Sequence, residues 1–169
     1  GFPNDRFMDL VLNQQPTQVT FVPDPPGVLT SNAGWDCAKN LDFLQEKVAL
    51  CKAQNIRTSL FLNPEPNHVL WAAKTGADRI ELYTEPYAAA YHQDKDKAIE
   101  PYIETAKRAQ EYNLGVNAGH DLDLENLRFF AQQIPNLLEV SIGHALVCDA
   151  LFLGLEKTIA HYLKRLESC

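Results

Sequence analysis

The chain has 169 residues, of which 46% are hydrophobic and 22% charged, and its 15 Lys+Arg against 22 Asp+Glu give a formal net charge of -7. This composition predicts one soluble globular domain over residues 1–169, and the acidic balance without a Lys/Arg cluster argues against a nucleic-acid partner. No stretch reaches the ~18 consecutive apolar residues of a membrane span, and no signal-peptide pattern opens the chain.

The first half of the chain alternates short apolar runs with segments of helical spacing. A helix is predicted from Asn4 to Val11, with Asn or Asp as its N-cap. A long Pro/Gly-rich connection, residues 22–35, follows the first strand, and connections of this length are typical of functional lids or disorder. The predicted elements are strand 18–22, helix 41–51, strand 58–62, helix 66–76 and strand 79–83.

The second half continues the alternation. Gly76 and Gly115 stand where the preceding helices are expected to end. In the last helix four apolar residues recur at near-helical steps, and we expect this stripe to dock the C-terminus; they are Leu151, Leu155, Ile159 and Leu163. The predicted elements are helix 96–112, strand 115–117, helix 124–133, strand 138–142 and helix 145–166.

Strands alternating with helices indicate parallel strands joined by right-handed crossovers. The spacing of about 30 residues per unit is close to the ~31 of a (β/α)8 TIM barrel. A doubly wound open sheet has the same alternation and remains the structural alternative. No glycine-rich nucleotide-binding loop follows any predicted strand.

Polar residues end three consecutive predicted strands. Glu81 lies in the predicted strand 79–83, His120 and Asp121 follow the next strand, and His144 follows the third. Because the carboxyl ends of the strands form the active face of a barrel, we expect a carboxylate and two imidazoles to converge on one rim.

Two further features favour a phosphorylated ligand. Gly143 lies between a strand and the helix that begins near His144, so backbone N–H groups could approach an anion there, and Gly119 could help in the same way. Thr30, in the long connection, offers a hydroxyl that a lid could bring to a substrate.

Two alternatives follow from the same residues. Glu81, His120 and His144 could form a 2-His-1-carboxylate metal site of a barrel isomerase or hydrolase. The chain could also be an inactive fragment that only binds a phosphate ester. No predicted strand carries a lysine, which argues against a Schiff-base enzyme.

Several segments along the chain resemble the pyridoxine 5'-phosphate synthase (PdxJ) family. In chain order they are Val22-Pro23, Leu29-Thr30-Ser31, Ser59-Leu60-Phe61, Ile80-Glu81-Leu82-Tyr83-Thr84, Val116-Asn117-Ala118-Gly119-His120-Asp121-Leu122 and Ser141-Ile142-Gly143-His144-Ala145-Leu146.

The resemblance implies an enzyme that condenses 3-amino-2-oxopropyl phosphate with 1-deoxy-D-xylulose 5-phosphate, in the cytoplasm, as a homo-octamer, without metal or organic cofactor. It implies that His120 donates a proton and that Glu81 stabilises the transition state. The implied substrate-binding residues are Thr30, Asp121, Gly143 and His144.

The resemblance also implies that strands 4–8 of the family's barrel are present here and that three preceding strands are absent. We therefore expect a partial TIM barrel that cannot complete a turnover alone.

Overall fold

The computed structural model describes residues 1–24 and 33–167. Five strands and seven helices alternate within these residues. The strands are β1 (Gln18–Phe21), β2 (Arg57–Leu62), β3 (Arg79–Tyr83), β4 (Gly115–His120) and β5 (Leu137–Ile142). The helices are α1 (Asp5–Gln14), α2 (Leu41–Ala53), α3 (Pro66–Lys74), α4 (Glu85–Glu111), α5 (Leu127–Gln133), α6 (His144–Leu153) and α7 (Leu155–Leu166).

The five strands form one parallel sheet in the order β1-β2-β3-β4-β5. The sheet is curved into a half-barrel. A doubly wound sheet reverses its strand order at a switch point, whereas this sheet adds each strand to the same side. The α/β prediction is therefore confirmed, and the strand order favours the barrel over the doubly wound alternative.

Strand alternation separates an apolar face from a polar one. Alternate residues of each strand pack against the helices and form the core, including Phe21, Leu60, Leu62, Ile80, Leu82, Val116 and Ala118, all almost fully buried. The other residues face the concave side of the sheet and include most of its polar groups. The helices therefore cover one face, and the chemistry-bearing side chains lie on the other.

One carboxylate of β5 contacts side chains from each of the other four strands on the concave face. Glu139 of β5 accepts hydrogen bonds from Gln18 of β1 at 3.1 Å, Arg57 of β2 at 2.9 Å and Asn117 of β4 at 3.3 Å. It also pairs with Arg79 of β3 at 2.8 Å. We call these five residues the belt. Because Gln18 and Glu139 belong to the two outermost strands, the belt draws the two edges of the sheet towards each other.

We expect Glu139→Gln to lower the free energy of unfolding by about 1 kcal/mol. This is the contribution of a charge-assisted hydrogen bond, reduced because solvent screens the half-exposed pair of Arg57 and Glu139. Burial raises the pKa of Glu139, but Arg79 and Arg57 outweigh it and hold the pKa below its ordinary value. Its stabilisation is thus present above the unfolded pKa and lost as pH falls through the folded pKa. Urea unfolding at pH 7 and pH 3 checks this, with Glu100→Gln, a substitution of an exposed residue of α4, as control. Equal unfolding free energies for wild type and Glu139→Gln at pH 7 would contradict it.

Two helix ends lie where local sequence signals predict them. Asn4 caps α1, its side chain accepting a hydrogen bond from the backbone N–H of Phe7 at 2.9 Å, as the predicted N-cap requires. Gly76, just beyond α3, has φ +81, the left-handed conformation that ends a helix.

Three helices differ from the prediction. The helix predicted to begin at 96 extends back to Glu85, and the non-helical residue Asp94 kinks it in the middle. The helix predicted from 124 begins only at Leu127. The long C-terminal helix is two helices, because Gly154, with φ +83, interrupts it.

The C-terminal apolar stripe does not dock as predicted. Leu151 is 79% exposed, Leu155 59%, Ile159 42% and Leu163 54%. Instead Thr158 and Tyr162 are the buried residues of α7, and the Tyr162 hydroxyl donates to Asp149 at 2.8 Å. The expectation was wrong because periodicity shows that a stripe favours burial but not which surface covers it.

Candidate active site at the carboxyl ends of β3, β4 and β5

His120 stands at the end of β4 in a strained backbone conformation. Its φ is +112, a region that residues with a side chain rarely adopt. Strict alternation from Asn117 would place His120 on the helix-covered face. Its ring instead lies against Phe61 and Tyr83 on the concave side, with centroid distances of 5.6 and 5.8 Å. The positive φ therefore accompanies a reorientation of the imidazole towards the interior of the half-barrel.

Glu81 lies on the concave face of β3 and is only 8% exposed. The Thr20 hydroxyl of β1 donates to its Oε2 at 3.0 Å. Burial raises the pKa of Glu81, and the Thr20 hydrogen bond and the nearby His120 partly oppose that rise. A carboxyl whose pKa is raised in a cleft is typical of an acid–base or electrostatic role.

Gly119 makes room for that carboxylate. A Cβ at position 119 would lie 2.9 Å from Glu81 Oε1 and 3.0 Å from the Cβ of Ser141. Any side chain at this position would therefore collide with Glu81. The sequence suggested that Gly119 lets an anion approach; within the structure its first role is to let Glu81 approach.

Gly143 and His144 lie at the N-terminus of α6. The first N–H groups of any helix lack an intrahelical partner. Gly143 is the N-cap of α6 and has no side chain that could accept a hydrogen bond from them. A Cβ at Gly143 would meet no atom of the described residues within 4 Å, and its φ is an ordinary -109. Packing therefore does not require this glycine, whereas close approach of a ligand would.

These groups share one open cleft of about 480 Å³. Its lining brings together four of the predicted site residues, Glu81, His120, Gly143 and His144, with Ser141 and Ile142 of β5. Another cleft of about 480 Å³ lies beside α1, lined by Phe2, Asn4, Arg6, Phe7, Leu10 and Asp24. The described lining of this second cleft contains no imidazole, and Asn4 already caps the helix N-terminus there. The two predicted imidazoles therefore lie in the cleft at the strand ends.

Of the remaining two predicted site residues, the structure describes one and not the other. Asp121 is half-exposed beside His120, with its Oδ2 3.8 Å from Nδ1 of the imidazole. Thr30 lies outside the described residues.

Sequence reasoning assigned no role to three residues that contact the site: Thr20, Phe61 and Tyr83. Strand alternation could have identified all three, because each lies two residues from another residue of its strand that faces the concave side. Thr20 holds Glu81, and the two aromatic rings hold the imidazole.

Residues 1–24 and 33–167 contain no group of three or more His, Cys, Asp and Glu arranged to hold a metal ion, so Glu81, His120 and His144 are not grouped as metal ligands. Nor is any helix within these ranges long and apolar enough to cross a membrane.

Residues 1–168 match the family model described as pyridoxal phosphate biosynthesis protein PdxJ. The chain belongs to the PdxJ family. Three curated relatives carry the name pyridoxine 5'-phosphate synthase. The Porphyromonas gingivalis protein is 57% identical over 98% of this chain and 70% of its own length. The Parabacteroides distasonis protein is 58% identical over 99% and 71%, and the Bacteroides thetaiotaomicron protein 54% over 96% and 68%.

A solved structure supports the fold of this PdxJ-family chain. The crystal structure of a variant of the citrate synthase SbnG superposes with a TM-score of 0.62, covering 99% of this chain and 69% of that one. At 13% sequence identity the likeness concerns the fold alone.

Proposed function

We propose that the protein is a pyridoxine 5'-phosphate synthase, which condenses 3-amino-2-oxopropyl phosphate with 1-deoxy-D-xylulose 5-phosphate and releases phosphate and water. The observation that carries the proposal is the shared cleft in which Glu81, His120, Gly143 and His144 meet in a PdxJ-family chain. This places the chain in vitamin B6 biosynthesis.

The phosphate of the aminoketone binds at the N-terminus of α6. Free N–H groups and the positive end of the helix dipole favour an anion there. Gly143 leaves the approach open, and His144 follows it at the cleft wall. Asp121, beside His120, contacts the same substrate, and Thr30 contacts the deoxyxylulose phosphate.

His120 donates a proton to the oxygen that leaves as water. An imidazole is suited to this because its ordinary pKa lies near neutrality. Ring closure begins with an imine formed by the substrate's own amine, so no enzyme lysine is needed. Glu81, held by Thr20 in a nearly buried position, stabilises positive charge as it develops on that nitrogen.

We infer that the five strands correspond to strands 4–8 of a (β/α)8 barrel. Both edge strands have one neighbour within the described residues, and the apolar stripe of α6 and α7, the two helices that follow β5 in the chain, is exposed. The match leaves out about three tenths of the Porphyromonas gingivalis relative. Strand–helix units from such a segment would pair with β5 and cover the stripe.

Fusing the unmatched segment of the Porphyromonas gingivalis relative ahead of residue 1 tests both proposals. We call this fusion the completed enzyme. We expect it to form pyridoxine 5'-phosphate, measured by product absorbance and mass spectrometry, and the 169-residue chain alone to form none. The completed enzyme carrying Glu100→Gln, an exposed substitution on α4, serves as the control.

Two other outcomes would contradict the synthase. A folded completed enzyme that binds inorganic phosphate, measured by calorimetry, without forming product would support the phosphate-binding alternative. Turnover that a chelator abolishes and a divalent metal restores would support the metal-dependent alternative.

We also propose that the completed enzyme works in the cytoplasm as a homo-octamer, as the family resemblance implies. The described cysteines, Cys37, Cys51 and Cys148, are free, which fits a reducing compartment. Sedimentation velocity of the completed enzyme tests the octamer.

A further inference from the structure

A buried threonine joins the two strand ends that carry the catalytic groups. Thr84 follows β3 directly and is completely buried. Its Oγ1 donates to the carbonyl oxygen of Gly119 at 2.9 Å and accepts a hydrogen bond from the backbone N–H of Asp121 at 3.2 Å. One hydroxyl therefore bonds the residue before His120 and the residue after it.

The segment bracketed in this way is the strained one. A non-glycine residue in a sparsely populated backbone region costs about 1–3 kcal/mol and persists only when its surroundings enforce it. The backbone groups on either side of His120, with its φ of +112, are fixed by the same atom. The aromatic contacts of the imidazole hold only its side chain.

Thr84 is itself held firmly. The Tyr102 hydroxyl donates to the carbonyl oxygen of Tyr83, the residue before Thr84, at 2.9 Å. The backbone N–H of Ala88 in α4 donates to the Thr84 carbonyl oxygen at 3.0 Å. The backbone that carries the hydroxyl is therefore held in place, and the hydroxyl is not a freely rotating surface group.

We propose that Thr84 is a positioning residue for His120: its hydroxyl clamps Gly119 and Asp121 and thereby keeps the imidazole turned into the cleft. The inference rests on the proposed function, in which His120 is the proton donor. Without the clamp, the backbone relaxes towards ordinary strand geometry, and alternation then directs the ring to the helix-covered face.

The test compares Thr84→Val with Thr84→Ser. Valine keeps the shape and removes the hydroxyl, whereas serine keeps the hydroxyl. Thr105→Val is the matched control, because Thr105 is also completely buried and its hydroxyl donates to the Pro101 carbonyl oxygen within α4, away from His120. If Thr84→Val fails to fold by circular dichroism, Thr84→Ala takes its place.

The first readouts need no activity and use both the 169-residue chain and the completed enzyme. In Thr84→Val we expect the Asp121 amide to exchange about 3–10-fold faster, the loss of one hydrogen bond. The coupling between the amide and α protons of His120, small at its present φ, should rise towards the large value of an extended strand. Thr84→Ser and Thr105→Val should leave both unchanged.

Kinetics of the completed enzyme supply the second readout. A misplaced catalytic group of this kind costs about 100-fold, so we expect kcat of Thr84→Val to fall by about that factor with KM nearly constant. Serine should restore kcat to within about threefold, since it restores the hydroxyl.

The outcomes separate the inference from the proposed function. Unchanged exchange and coupling in Thr84→Val would overturn the clamp, and so would an equal loss of kcat in Thr105→Val. Changed exchange and coupling, combined with a His120→Asn enzyme of undiminished kcat, would overturn the role of His120 while leaving the clamp itself established.

Discussion

The His120→Asn variant of the completed enzyme is expected to turn over about 10²–10⁴ times more slowly than the wild type, the usual contribution of a positioned general acid. Asparagine keeps a polar side chain of similar reach but has no titratable proton to deliver. KM should change little, because in the proposed function the substrate phosphate binds at the N-terminus of α6. Steady-state kinetics with both substrates measure the effect.

A second histidine provides the control for that experiment. His161 is exposed on α7, so His161→Asn removes an imidazole outside the cleft and should leave kcat unchanged. A His120→Asn enzyme that retains more than about a tenth of wild-type kcat would remove His120 from the role of proton donor.

Glu81→Gln is expected to lower kcat by about 10²–10³ and, at the same time, to make the protein more stable at neutral pH. In the proposed function Glu81 is a preorganised charge at the reacting centre, and removing that charge causes the loss of rate. The gain in stability follows from burial, which raises the pKa of Glu81 above the ordinary 4.5. Glutamine still accepts the Thr20 hydrogen bond without the desolvated charge.

The raised pKa of Glu81 fixes the pH window of the stability effect. A carboxyl whose folded pKa is raised favours the folded state below its unfolded pKa and loses that contribution as pH rises through the folded pKa. The advantage of Glu81→Gln in thermal melts should therefore be present at pH 7 and disappear below about pH 4.5. Glu100→Gln should show neither effect, and a Glu81→Gln protein less stable than wild type at pH 7 would contradict the argument.

The pH dependence of Glu81 has several contributors. Its charged and hydrogen-bonding neighbours include Thr20, His120 and Glu139, of which Glu139 raises the pKa and the other two lower it. Replacing Thr20 by Val removes one lowering contact, so the acidic limb of the kcat profile should move to higher pH.

The location of the site was predictable from sequence because parallel strands place their carboxyl ends together. Glu81 lies within one apolar run, and His120 and Gly143 stand at the ends of the next two; the structure brings all three to one cleft. No sequence pattern could predict how His120 turns inward, since alternation assigns it to the opposite face. Its φ of +112 depends on Thr84, 36 positions earlier in the chain.

Contacts between distant strands also escaped sequence reasoning. Glu139 was one polar residue in an apolar run, and only the curvature of the sheet brings it to Gln18, 121 residues away in the chain. The stripe of Leu155, Ile159 and Leu163 was recognised as apolar but assigned to the wrong surroundings. In each case the sequence pattern indicates whether a residue needs a polar partner or burial, and the tertiary structure determines which neighbour provides it.

The close packing of Gly119 against Glu81 makes the two positions an epistatic pair. Adding a methyl group in Gly119→Ala displaces the carboxylate, which a Cβ would meet at 2.9 Å, and shortening the acid in Glu81→Asp withdraws it from that contact. The double variant should therefore fold better than Gly119→Ala alone. Its carboxylate remains one methylene short of the cleft, so a stability screen would accept a combination that selection for vitamin synthesis rejects.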